Sequence, residues 1–193
     1  MTIDINPRGR LIFVVGPSGA GKDTLIDYAK NRLRHEHRIH FARRVITRPA
    51  SAGEDHEPID VAEFRNRVES GAFALHWEAH GLHYGIPATI DAWLAQGHVI
   101  VANGSRTIVP RARRRYAGLQ VVSITASRSV LEERLAMRGR EASDSRKARL
   151  ARSDQINVDL AGAVSIDNSG ELADAGDRFV ETLLSAMPAD TLG

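Results

Sequence analysis

Along the chain, short apolar runs alternate with amphipathic stretches. Leu11-Ile12-Phe13-Val14-Val15 is apolar throughout and mostly β-branched or aromatic, the pattern of a parallel strand buried on both faces. Residues 25 to 33 place apolar side chains at 25, 26, 29 and 33, a helical spacing. Residues 38–47 predict a second strand, running into a turn-rich loop over 48–56. Asp60 reads as the N-cap of a helix that reaches Glu69 and stops at Gly71. Residues 72–78 and 82–86 predict two short strands joined by a hairpin turn at His80-Gly81. Pro87 is expected to open a helix through Leu94, closed by Gly97. A buried strand over 99–102, a helix over 107–116, a strand over 119–125 and a helix over 129–137 follow. A last strand at 164–166 and a helix over 171–186 complete the set. Strands alternating with helices predict an α/β fold, a parallel sheet flanked by helices. Ligands of such sheets sit beyond the carboxyl ends of the strands. The loops at 16–24, 48 and 103–106 then share one rim, and the strands at 72–86 form a small β-rich insertion over it.

Size and composition narrow the class. The 193 residues fit one domain over 1–193, without repeat, low-complexity tract or linker. There is no cysteine, which excludes a disulfide framework and a thiolate metal site. Residues 1–10 are polar and no run approaches a membrane span, so a cytoplasmic protein without a membrane partner is expected. Net charge is only +2, but the basic residues are mostly arginine, with lysine at 22, 30 and 147. Guanidinium forks match phosphate oxygens, so the bias suits a phosphate-rich ligand. The run Arg111-Ala112-Arg113-Arg114-Arg115 lies on a predicted helix and reads as a solvated face, with no nucleic-acid partner implied. Oligomeric state is left open, a homo-oligomer included.

Chemistry concentrates in Gly16-Pro17-Ser18-Gly19-Ala20-Gly21-Lys22-Asp23-Thr24, between the first strand and the first helix. That setting and spacing are those of a P-loop. Glycines let successive N–H groups turn inward on an anion, the helix N-terminus adds partial positive charge, and Lys22 adds a full one. Asp23 stands where a Ser or Thr ordinarily holds Mg²⁺. A carboxylate is also a hard oxygen ligand, so Asp23 and Thr24 are both candidates for the metal.

The whole pattern resembles the guanylate kinase branch of the nucleoside monophosphate kinases. The resemblance rests on Gly16–Lys22, Thr47-Arg48, Gly53-Glu54, Phe73 to Gly85 with Tyr84-Gly85, Arg134-Leu135, Arg138-Gly139 and Arg149-Leu150. It implies an acceptor-binding region over 48–86, with Arg48 and Tyr84 on the acceptor phosphate. It also implies a lid over 138–152 whose Arg138 and Arg149 meet the transferring phosphoryl group. Four positions depart from that branch. The second phosphate-binding arginine falls on Ser51, a tyrosine of the insertion on His56, and the two guanine-reading carboxylates on Leu75 and Ser105. Leucine leaves guanine donors unpaired at about 1–3 kcal/mol each, so the phosphate half of the acceptor site persists without the guanine half.

Gly21-Lys22-Asp23, Ile46-Thr47-Arg48, Ala50–Gly53, Trp77, His80-Gly81-Leu82, Tyr84-Gly85 and Asn103–Arg106 together resemble the ribose 1,5-bisphosphate phosphokinases of phosphonate catabolism. That resemblance implies transfer of the ATP γ-phosphoryl group to the 1-phosphate of a sugar bisphosphate, giving 5-phosphoribosyl 1-diphosphate. ATP and Mg²⁺ are the implied cofactors. A bisphosphate needs a second cationic cluster. Arg106 with Ser105 is the first choice, ahead of Arg43, Arg44 and Arg111, and His80 is a further acceptor contact. Asn168, after the last strand, is a weak candidate for the adenine edge. A nucleoside monophosphate kinase with altered base choice and an inactive interaction module are the rival readings.

Overall fold

The computed structural model describes residues 9–49, 55–137 and 160–188. The lid expected at 138–152, with Arg138 and Arg149, lies outside the described residues, as does Ser51.

The apolar first run is β1 (Arg10–Val15), the centre of a five-stranded parallel sheet. Its neighbours are β7 (Val99–Asn103) and β8 (Gln120–Thr125), with β2 (Ile39–Phe41) and β9 (Val164–Asp167) at the edges. Phe13 is opposite Ala102 on one side and Val121 on the other. Successive side chains of a strand alternate between faces, so β1 feeds two cores. Ile12 and Val14 pack with Leu25, Ile26 and Ala29 of α1 (Lys22–Arg32) and Phe179 and Leu183 of α6 (Leu172–Ser185). Leu11, Phe13 and Val15 pack with Ile90 and Leu94 of α3 (Ile90–Ala95) and Val109 and Ala112 of α4 (Val109–Arg115). A helix α5 (Arg128–Met137) follows β8.

A second sheet carries the insertion, in the order β4-β3-β6-β5. Its strands are β3 (Arg44–Ile46), β4 (His56–Pro58), β5 (Phe73–Ala79) and β6 (Leu82–Pro87). Ile46 faces Tyr84, Trp77 faces Tyr84 and Leu75 faces Ile86. Opposed residues point the same way, so these make one face, and Leu75, Trp77 and Ile86 join it to the second core of the main sheet. The other face packs Val45 and Phe73 on Phe64 of α2 (Val61–Glu69). The β5–β6 turn falls at His80-Gly81 as expected, with positive φ at both residues, the backbone a two-residue hairpin needs. Asp60 caps α2 by accepting from the Glu63 amide at 2.8 Å.

Four sequence expectations need correction. The single strand at 38–47 is two strands in two sheets. Ala42 N donates to Val101 O at 2.8 Å, the last bond to the main sheet, and Arg43 then turns to Asp55. The loop at 48–56 ends in β4, a strand too short and too polar to leave a periodic signal. Pro87 closes β6 instead of opening a helix. Ala88 N donates to Ala72 O at 2.8 Å, so extended pairing continues beyond the proline and α3 starts only at Ile90. The helix expected at 107–116 begins with a 3₁₀ turn, Arg106–Ile108.

Tyr116, 1% exposed, ties α4 to α3: its hydroxyl donates to Asp91 at 2.6 Å, and Arg115 donates to both partners. Burial, and then Asp91, raise the Tyr116 pKa. Tyr116→Phe should lower unfolding free energy by about 1–2 kcal/mol by removing the hydrogen bond from a buried hydroxyl to Asp91, as measured by urea titration, with steady-state kinetics unchanged.

Candidate active site

The carboxyl end of β1 delivers the Gly16–Gly21 turn to the start of α1. Gly21 is the N-cap of α1, with φ 86, and no side chain caps the helix. The first amides of a helix have no partner within it, so an uncapped N-terminus presents donors to an anion. A side chain at 21 would also collide with the Asn168 amide and come within 3.6 Å of Arg134 Nη1. Asn168, 2% exposed, donates to Ala20 O at 2.8 Å. Its amide thus braces the P-loop from behind. Lys22 folds back and donates to Gly16 O and Pro17 O, both at 2.9 Å. A glycine-rich turn, a free helix N-terminus and a lysine resting on backbone carbonyls fit a nucleotide polyphosphate. Asp23 and Thr24, in the first turn of α1, carry oxygen atoms of the hard kind that could hold Mg²⁺.

The predicted acceptor residues come from the second sheet. Arg48 lies two residues past β3, and Tyr84 is on β6, its ring stacked on Trp77 with centroids 5.3 Å apart. Tyr84 is opposite Ile46 of β3, two residues before Arg48. His56, only 1% exposed, approaches the Arg48 carbonyl with Nε2 at 3.4 Å. It supports the backbone that carries Arg48, a role sequence reading missed. Ser105 spends its hydroxyl capping the 3₁₀ turn, accepting from Thr107 N at 3.3 Å, and Arg106 begins that turn half-buried. His80 is exposed in the hairpin turn. Two of the weaker cation candidates are engaged elsewhere: Arg43 with Asp55, and Arg111 with the His76 carbonyl.

No family model matches the chain. Among curated proteins, it is 49% identical over 181 residues to ribose 1,5-bisphosphate phosphokinase PhnN of Chelativorans sp. (strain BNC1), covering 93% of this chain and 87% of that one. It is 50% identical over 179 residues to the PhnN of Burkholderia pseudomallei (strain K96243), covering 92% and 96%. The chain belongs to the ribose 1,5-bisphosphate phosphokinase family. Its fold is that of a P-loop kinase. Guanylate kinase from Anaplasma phagocytophilum superposes with a TM-score of 0.69 at 19% identity, over 94% of this chain and 88% of that one.

In this phosphokinase family member, Leu75 is fully buried beside Trp77 and Ile86, so the position read as guanine-binding is filled by core. Among the described residues, no helix is long and apolar enough to cross a membrane.

Burial lowers the His56 pKa from its ordinary 6.5, and the charges of Arg48 and Arg44 push the same way. Burial lowers His40 and His76 too. A histidine with a depressed folded-state pKa is favoured neutral in the fold. Its stabilising contribution is complete above the unfolded value and is lost as pH falls below it. Unfolding free energy should therefore drop between about pH 6.5 and pH 5, and His56→Gln should flatten that drop in denaturant titrations across the range.

Proposed function

We propose that this kinase transfers the γ-phosphoryl group of ATP to the 1-phosphate of ribose 1,5-bisphosphate, forming 5-phosphoribosyl 1-diphosphate and ADP. The observation that carries the reading is the full-length kinship, 49–50% identity across more than nine tenths of the chain. The burial of Leu75 favours it over a guanylate kinase, because a buried leucine offers guanine no acceptor. The inactive-module reading is disfavoured by an intact P-loop with Lys22 in place.

The acceptor is a phosphate oxygen, already ionised near neutral pH, so the reaction needs no general base. That oxygen bonds to the γ-phosphorus while the bond from the γ-phosphorus to the β–γ bridging oxygen breaks, and ADP keeps the electron pair. Catalysis then rests on positioning and on charge. The Gly16–Thr24 segment cradles the donor phosphates, with Lys22 leaving its carbonyls for phosphate oxygens. Asp23 or Thr24 holds Mg²⁺, which when bound offsets charge on the β- and γ-phosphates. Arg48 and Tyr84 fix the acceptor phosphate. Arg138 and Arg149 of the lid stabilise the transferring group, and Ser105, Arg106 and His80 complete the acceptor contacts. We assign 48–86 to acceptor binding and 138–152 to the lid of a single domain over 1–193. The setting is cytoplasmic breakdown of phosphonates, with small-molecule substrates as the partners.

Purified protein with ATP and Mg²⁺ should release ADP with ribose 1,5-bisphosphate and yield the diphosphate product by phosphorus NMR, with little turnover of GMP, AMP or dTMP. Efficient GMP turnover would refute the acceptor assignment. Lys22→Met should cut kcat by about a hundredfold or more, since it removes a charge that meets the reacting phosphates.

A further inference from the structure

β3 and β4 pair in parallel over only three residues, Arg44 with His56, Val45 with Glu57 and Ile46 with Pro58. Residues 47–55 make the return between them, shorter than the roughly dozen-residue crossover that parallel strands ordinarily take. Arg48 lies near the outgoing end of that return and Asp55 at its close.

Both carboxylate oxygens of Asp55 are taken. Oδ1 accepts from Arg43 Nε at 2.9 Å, and Oδ2 accepts from Lys30 Nζ at 3.0 Å. Arg43 Nη2 also donates to the His56 carbonyl at 3.0 Å. Three places in the chain therefore meet at one side chain: the last turn of α1, the step from β2 to β3, and the start of β4. The Asp55 side chain is 52% exposed, so its two cations hold it and packing does not. Lys30, and then Arg43, keep its pKa below the ordinary carboxylate value, so it is ionised at neutral pH.

The clamp reaches Arg48 through the next residue. His56, buried at 1% exposure, brings Nε2 to 3.4 Å from the Arg48 carbonyl. Asp55 thus fixes the backbone from which His56 meets the backbone of Arg48. β4 is also an edge strand, paired on one side only, so side-chain ties of this kind carry more of its order.

We propose that Asp55 is a positioning residue for the acceptor: held by Lys30 and Arg43, it fixes the start of β4 and, through His56, the backbone that presents Arg48 to the acceptor phosphate. The proposal rests on the reading of Arg48 above and deepens it. Asp55 makes no contact with the acceptor. It acts on the fraction of molecules in which this backbone is already in place, and an acceptor that must order it binds more weakly in proportion.

The test compares Asp55→Asn, Asp55→Glu, Lys30→Met and Arg48→Met in the full chain, with the ribose 1,5-bisphosphate KM read at saturating Mg·ATP. Asp55→Asn keeps the shape and removes the charge at an exposed position. It should raise the acceptor KM about threefold to tenfold, the effect of two exposed charge pairs, with kcat and the Mg·ATP KM within about twofold of the parent. Lys30→Met should raise it about twofold to threefold, and the double variant no more than Asp55→Asn alone, because both substitutions open one clamp. Asp55→Glu should keep the KM within about twofold of the parent. High salt should shrink the ratio between Asp55→Asn and the parent, since it screens the clamp that only the parent has. In acceptor-free protein, amide exchange over 46–49 and 56–59 should be faster in Asp55→Asn, with β1 unchanged. A parental KM in Asp55→Asn, beside a raised KM in Arg48→Met, overturns the proposal and leaves the Arg48 reading standing. A parental KM in Arg48→Met ends the Arg48 reading, and the proposal falls with it. If the parent turns over no ribose 1,5-bisphosphate, the sugar reading fails and amide exchange decides: faster exchange in Asp55→Asn supports the positioning, and parental exchange overturns it.

Discussion

A strand buried on both faces has no side chain left for a ligand. β1 is in that position: Leu11 to Val15 are each 0–1% exposed, packed under α1 and α6 on one side and under α3, α4 and the insertion on the other. What it can contribute is its end, where the backbone leaves the sheet and its amides lose their ladder partners. The rest of the molecule follows from that constraint. The neighbours of β1 lie on either side of it, so their connections part at this point and leave a crevice above its carboxyl end. The Gly16–Gly21 turn fills the crevice, and Asn168 at the end of β9 holds that turn from below.

The second sheet solves a different problem. Phosphoryl transfer brings two polyanions together, and the cations that allow it must be close without collapsing onto each other. The second sheet meets the main one through an apolar seam of Leu75, Trp77 and Ile86. Beyond the seam its polar side chains lie near the P-loop, and the polar contact between the two sheets runs through Asp23, Arg44 and Asn103. A single carboxylate thus ties α1 to both β3 and β7.

Much of this was legible in the sequence. The alternation of strands and helices gave the layers, and the P-loop could be read from Gly16, Gly21 and Lys22 together with the apolar run before them. The family resemblance also led to the right kinship. What escaped was set by tertiary pairing. Residues 38–47 look like one strand because both halves are strand-forming, and only the departure at Ala42 splits them between sheets. Pro87 looks like a helix start, but Ala72 is within reach of the next amide. His56 and Asn168 carry no local signal, since their partners, the backbone carbonyls of Arg48 and Ala20, are not encoded by any residue type. Asp55 was one carboxylate among many until its two basic partners set it apart.

The resting position of Lys22 has a consequence for what the loop accepts. Its ammonium is already solvated by two carbonyl oxygens, Gly16 O and Pro17 O. Displacing them with two ligand oxygens changes the number of hydrogen bonds very little, so the gain must come from charge density. A lone monovalent anion offers little more than the carbonyls already provide, whereas a chain of linked phosphates offers a great deal. The loop therefore favours a ligand that brings several negative charges at once over a single monovalent anion.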